Sequence, residues 1–137
     1  MVHGRGALRA ARGALSAAAA AESALGGREQ RLRDLPVQLL REAGFEVHLP
    51  QDAHLCCGSA GTYSLLQPDI ADALRDRKLA ALRGTRPDVI VTGNVGCATH
   101  LAAEAEVPVL HTVELLDWAH GGPRPAILHD LQQGRPA

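Results

Sequence analysis

Aromatic side chains are nearly missing from this 137-residue chain, which has one Trp, one Tyr and one Phe. A core built around aromatic rings is therefore excluded. An excess of charge of either sign is missing too, with 14 Lys and Arg against 15 Asp and Glu. The formal net charge is −1, so no basic field points to a nucleic-acid partner. No run approaches the ~20 apolar residues that a membrane-spanning helix needs. No phosphate-loop lysine follows any of the glycines, and no dinucleotide fingerprint is present. Cysteine is scarce, at three residues, and two of them are neighbours. An odd count with a vicinal pair argues against a disulfide framework and for a reducing compartment. The expected location is the cytoplasm, and the chain could still dock on a membrane complex through a partner.

What remains is Ala, Leu and Val in a chain that is 46% hydrophobic. That length supports one domain with one core. The chemical content is concentrated in two stretches. Cys56-Cys57-Gly58-Ser59-Ala60-Gly61 sets two thiols before a flexible backbone. Gly93-Asn94-Val95-Gly96-Cys97 carries the third thiol.

The first thirty or so residues carry Arg5, Arg9 and Arg12, the run Ala17 to Ala21, and no acid before Glu22. They show no apolar stripe able to dock a helix. Residues 1–32 are expected to be a mobile extension, with folding beginning near Arg33. Asp34 and Pro36 suit a helix start, with Val37, Leu39, Leu40 and Ala43 as its apolar face and Gly44 as a left-handed cap. Phe45-Glu46-Val47-His48-Leu49 alternates as a strand does. A long helix is expected from Pro68 to Arg83, with Ile70, Ala71, Leu74, Ala81 and Leu82 inward. Arg75, Asp76, Arg77 and Lys78 are read as its solvated face. Asp88-Val89-Ile90-Val91-Thr92 reads as a central parallel strand, buried on both sides. A helix from Cys97 to Glu104, a strand Val107 to His111, and a final helix capped by Thr112 follow. The tail, 123–137, is expected to fray. Strands alternate with helices, so the fold class is α/β: an open parallel sheet in three layers, with helices on both faces.

In such sheets ligands gather beyond the carboxyl ends of the strands. Cys56, Cys57 and Cys97 all follow predicted strands, so all three sulfurs are expected to converge there on one metal centre. Cys97 would also sit at a helix N-terminus, which favours thiolate, the form that binds iron and soft metals. His54, His100 and His111 are further donors within reach. Each of these residues has a plainer reading, as a small buried thiol or a half-buried polar group. Gly58, Ser59, Gly61 and Gly96 would let the backbone bend round a cofactor or only make a tight turn. Tyr63 reads as packing. A cysteine-nucleophile enzyme is a further reading, but it leaves the vicinal pair unused.

Four separated motifs now occur in order: Cys56-Cys57-Gly58-Ser59-Ala60-Gly61-Thr62-Tyr63, Arg75-Asp76-Arg77-Lys78, Gly93-Asn94-Val95-Gly96-Cys97, and His111-Thr112-Val113-Glu114-Leu115-Leu116. Together they resemble the C-terminal cysteine-rich (CCG) domain of glycolate oxidase iron–sulfur subunits. Heterodisulfide reductases, in one of their chains, and lactate-utilisation proteins carry the same kind of domain. The resemblance covers residues 33–122. It implies an electron-transfer iron–sulfur subunit that is not catalytic on its own. It implies a cluster of 4Fe-4S type on Cys56, Cys57 and Cys97, with Asn94 and His111 as supporting groups or weak ligands. FAD would sit only on partner flavin-containing glycolate oxidase subunits, and a separate ferredoxin-like chain is a further implied partner.

Three departures qualify this. The family cysteine upstream of the CCG motif has no counterpart between Ala17 and Leu25. Asn94 stands where the general pattern has a cysteine, as in the glycolate oxidase branch. The ferredoxin-like region and first cysteine-rich module of full-length relatives are not in this sequence. A fragment, a split gene product or a misplaced start would each look like this. The alternative reading is a scaffold or assembly module that binds no cluster, or a non-functional fragment.

Overall fold

A computed structural model describes residues 16–19 and 27–132. Strand β1 is Ser16–Ala19, helix α1 Gly27–Glu42, strand β2 Glu46–His48, helix α2 Thr62–Leu66 and helix α3 Pro68–Arg83. Strand β3 is Val89–Thr92, helix α4 Val95–Ala102, strand β4 Val109–His111 and helix α5 Thr112–Ala119. A 3-10 helix, Ala126–Gln132, closes the described chain.

The four strands form one parallel sheet in the order β2-β1-β3-β4. Alternation along each strand separates two cores. Ala17, Ala19, Val47, Val89, Val91 and Leu110 face Val37 and Leu40 of α1 and Leu115 and Trp118 of α5. Ala18 and Ile90 face Leu79 and Leu82 of α3 and Leu101 of α4. Helices thus cover both faces, as expected for the α/β class.

The expectation of a mobile extension over residues 1–32 fails at Ser16–Ala19. These residues sit between β2 and β3, hydrogen-bonded to both. Ala17 and Ala18 are fully buried. The Asp88 carboxylate accepts from Ser16 N at 3.0 Å, and Asp88 N donates to Ser16 O at 2.8 Å. Small side chains suit a strand pressed by helices from both sides. Residues 1–15 and 20–26 lie outside the described residues. Helix α1 also begins before the expected start near Asp34, at Gly27, so Pro36 is inside it and not in its first turn. Leu39 is on its exposed side, whereas Val37 and Leu40 reach the core and Ala43 packs against it. Gly44 ends the helix at φ +96°, in the left-handed region as expected.

Two further corrections concern the C-terminal third. The cap of α5 is His111, not Thr112: its Nδ1 accepts from Val113 N, and Glu114 accepts from His111 N, a reciprocal capping box. The tail does not fray directly after Pro123. Leu128 is fully buried in the first core, and the Arg124 guanidinium stacks over Trp118 at 5.6 Å from the ring centroid.

Candidate functional site

Parallel strands deliver their following loops to one edge. After β2, the loop 49–61 carries Cys56 and Cys57. After β3, Gly93 and Asn94 lead into α4, where Cys97 is the third residue. Both loops therefore reach the carboxyl edge together.

Cys57 is 5% exposed and packs in the second core, with Cys97 beside it. The Cys97 side chain hydrogen-bonds to Cys57, and this contact is the largest cause lowering the Cys57 pKa from 9.0 to about 6. Burial opposes the shift. The Ser59 backbone N–H, the charge of His100 and the backbone of Cys57 itself reinforce it. Cys56 is exposed, and its Sγ accepts from Gly58 N at 3.3 Å. Cys57 and Cys97 are in direct contact, and the more exposed Cys56 acts with them on the charge of Lys78. Among the described residues no group of three His, Cys, Asp or Glu side chains is arranged to hold a metal ion.

The glycines explain how the two loops fit. A Cβ on Gly58 would run into the Ala71 carbonyl oxygen of α3 and meet His100 Nε2 at 3.1 Å. A Cβ on Gly96 would lie 2.8 Å from Ser59 Oγ. The two loops touch, and only glycine leaves room for the contact. Gly61 takes φ +55° but has open space around it, so it serves the turn into α2.

The other expected donors have local duties. Asn94 caps α4, with Oδ1 accepting from Cys97 N at 3.1 Å. His111 Nε2 donates to Gly93 O at 2.8 Å while Nδ1 accepts from Val113 N, so both ring nitrogens are engaged in fixing the loop before Cys97. His100 Nε2 donates to Ala71 O at 3.1 Å, behind Gly58. His54 is exposed on the first loop.

Lys78 overturns its expected place on a solvated face. It is 1% exposed, and Nζ donates to Ala53 O at 2.8 Å. This bond ties α3 to the loop that carries Cys56 and Cys57. Burial pushes the Lys78 ammonium below its usual range, while negative charge on Cys57, Cys97, Cys56 and Asp52 pulls it back up. Lys78 thereby lies within electrostatic reach of all three thiols. The signal was present in the sequence as helical phase: 71, 78 and 82 fall on one stripe, and Ala71, Lys78 and Leu82 are all buried. Ile70, expected inward, is exposed.

A fold that favours the Cys57 thiolate gains stability from its ionisation. Its folded pKa, about 6, lies below the ordinary 9.0. The gain is full above pH 9, declines as pH falls towards 6, and is lost below that. Iodoacetamide labelling of Cys57 is expected to titrate near pH 6. Cys97→Ala removes the largest cause of the shift. Labelling of Cys57 at pH 7 should then slow about tenfold or more, with the midpoint moved towards 9. Labelling followed by peptide mass spectrometry checks this, and an unchanged midpoint would show that Cys97 is not the donor.

The cysteine-rich domain family known as CCG matches residues 20–102. The chain belongs to the CCG family. It is 46% identical over 90 residues to the glycolate oxidase iron–sulfur subunit of Escherichia coli (strain K12), covering 66% of this chain and 22% of that subunit. It is 34% identical over 94 residues to the probable glycolate oxidase iron–sulfur subunit of Bacillus subtilis (strain 168), covering 63% of this chain and 21% of that protein. Lactate utilization protein A of Bacillus velezensis is 30% identical over 88 residues, covering 60% and 37%. This CCG chain thus spans about a fifth of the length of the two glycolate oxidase relatives. No helix among its described residues is long and apolar enough to cross a membrane.

Two of these relatives are named as iron–sulfur subunits. A cluster is ordinarily held by four thiolates. The chain has three cysteines, of which Cys56 is exposed. The donors of this CCG chain do not complete a cluster by themselves.

Proposed function

We propose that this CCG chain is the cysteine-rich domain of an electron-transfer iron–sulfur subunit in a complex that oxidises a 2-hydroxy acid, of the glycolate oxidase type. The observation that carries the reading is the Cys57–Cys97 pair, held at the sheet edge with the buried Lys78 among its neighbouring charges, in a chain so similar to a glycolate oxidase iron–sulfur subunit. Glycolate would be oxidised at a flavin on a partner subunit, in the cytoplasm or at the inner membrane surface. This chain's own residues maintain negative sulfur at a defined place. Cys97 donates to the Cys57 thiolate, Lys78 supplies a buried cation, and His111 and Asn94 fix the loop that positions Cys97. The shortfall in donors favours a second reading, a scaffold module that keeps the fold and carries no cluster.

The test is anaerobic co-expression of the chain with the part of the glycolate oxidase iron–sulfur subunit outside its match and with the other glycolate oxidase subunits, followed by iron and sulfide analysis and glycolate-dependent dye reduction. The chain alone is expected to show no turnover, and the assembled complex should be active. Cys57→Ser should lower that activity at least tenfold without dissociating the complex. Full activity with Cys57→Ser would leave the scaffold reading. Glycolate turnover by the pure chain would overturn both.

A further inference from the structure

Helix α2 follows directly on the Cys56–Gly61 loop and buries none of its residues, although it contains Tyr63, Leu65 and Leu66. Leu65 is 80% exposed and Leu66 75%. Its apolar content is not needed by either core. The pattern extends round the whole carboxyl edge. Of the ten large apolar side chains left exposed among the described residues, only Leu35, Leu39 and Ile127 lie elsewhere. The others follow β2 or occupy α2 and the first turns of α3, α4 and α5, including Val95, 75% exposed, and Val113. All lie on segments that follow the carboxyl ends of β2, β3 and β4, the edge that carries the thiols. Single exposed apolar residues are ordinary, but a contiguous apolar surface marks an interface.

We propose that this apolar rim is the docking surface for the rest of the iron–sulfur subunit polypeptide, the part that makes up the larger share of the relatives' length. The inference rests on the functional reading above and names the partner of the same site. Two observations choose this occupant over a transient redox partner or a second copy. Transient electron-transfer contacts are small, whereas permanent ones are large and apolar like a divided core. The chain also matches only 22% of the Escherichia coli subunit, so in that relative most of the polypeptide is available to cover such a face. A covered rim at the edge of the sulfurs would shield them from water, and would bring donors from the covering polypeptide to a site whose own cysteines fall short of four thiolates.

The experiment co-expresses the full chain with the Escherichia coli subunit lacking its own matching 90 residues. Size exclusion with light scattering is expected to show a one-to-one complex, and a monomer for the chain alone. Leu65→Glu with Leu66→Glu should weaken the complex at least a hundredfold. Val113→Glu, in the first turn of α5, should weaken it in the same direction. Leu35→Glu with Leu39→Glu, on the outer face of α1, should leave it intact. Because α2 buries nothing, circular dichroism should show the rim variants folded. Equal binding by the rim and α1 variants overturns the proposal. So does a homodimer lost in the rim variants, or a shortened subunit that stays insoluble beside the wild-type chain. Dye reduction on the same preparations separates the two ideas. Rim-dependent binding without glycolate activity refutes the functional reading alone, and activity that survives the rim variants refutes the docking surface alone.

Discussion

A chain shortened to begin at Arg33 is expected to lose cooperative folding altogether. The reason is the position of β1 in the sheet. Among the described residues it is the sole strand partner of β2 and one of two partners of β3. Without it β2 has no ladder, and Val47 and Phe45 lose the surface that joins them to Val89 and Val91. Ala17 and Ala18 are fully buried, so their removal opens both cores at once. Domain stabilities of about 5–15 kcal/mol leave no reserve for losing a central strand. Far-UV circular dichroism and urea titration of the shortened and full chains check this. A point substitution tests it without deletion. Ala18→Asp would place a carboxylate between α3 and the sheet with no partner, costing several kcal/mol, on the order of half the total stability. A sigmoidal urea transition retained by the shortened chain would show that β1 is dispensable.

That strand was hidden from the sequence for a physical reason. An Ala run has high helix propensity and no strand pattern. Four alanine-rich residues become a strand only because the sheet on either side supplies the hydrogen bonds and the helices leave room for nothing larger. The Val89–Thr92 strand was legible because β-branched residues buried on both faces leave their own signature. The bounds of α3 were legible from Pro68 and Gly84. Its buried face was not, since four charged residues in succession read as solvent-facing, and Lys78 lies inward only through its phase with Ala71 and Leu82. The place of the thiol site followed from strand order. Which sulfurs meet did not, because that depends on the turn at Gly58, where Cys56 bonds back to the amide and Cys57 is directed inward.

That turn makes Gly58→Ala the most damaging single substitution expected at the site. Gly58 holds φ +87°, where a side chain costs about 1–2 kcal/mol. The new methyl would also run into the Ala71 carbonyl, a backbone atom inside α3 that cannot swing aside, with His100 Nε2 at 3.1 Å on its other flank. Overpacking of this kind adds about 1–3 kcal/mol. The expected loss is thus about 2–5 kcal/mol in urea denaturation. Gly61→Ala is the control. Gly61 also has a positive φ, +55°, yet nothing lies within 4 Å of its Cβ position, so only backbone strain of about 1–3 kcal/mol applies. The two variants should differ more at the sulfurs than in stability. Relief of the Gly58 clash requires the loop to move off α3, which carries Cys57 away from Cys97 and from the amide of Ser59. Its labelling midpoint should rise from about 6 towards 9 in Gly58→Ala and stay near 6 in Gly61→Ala. If both variants kept the midpoint near 6, the packing of Gly58 on α3 would not be what holds the two thiols together.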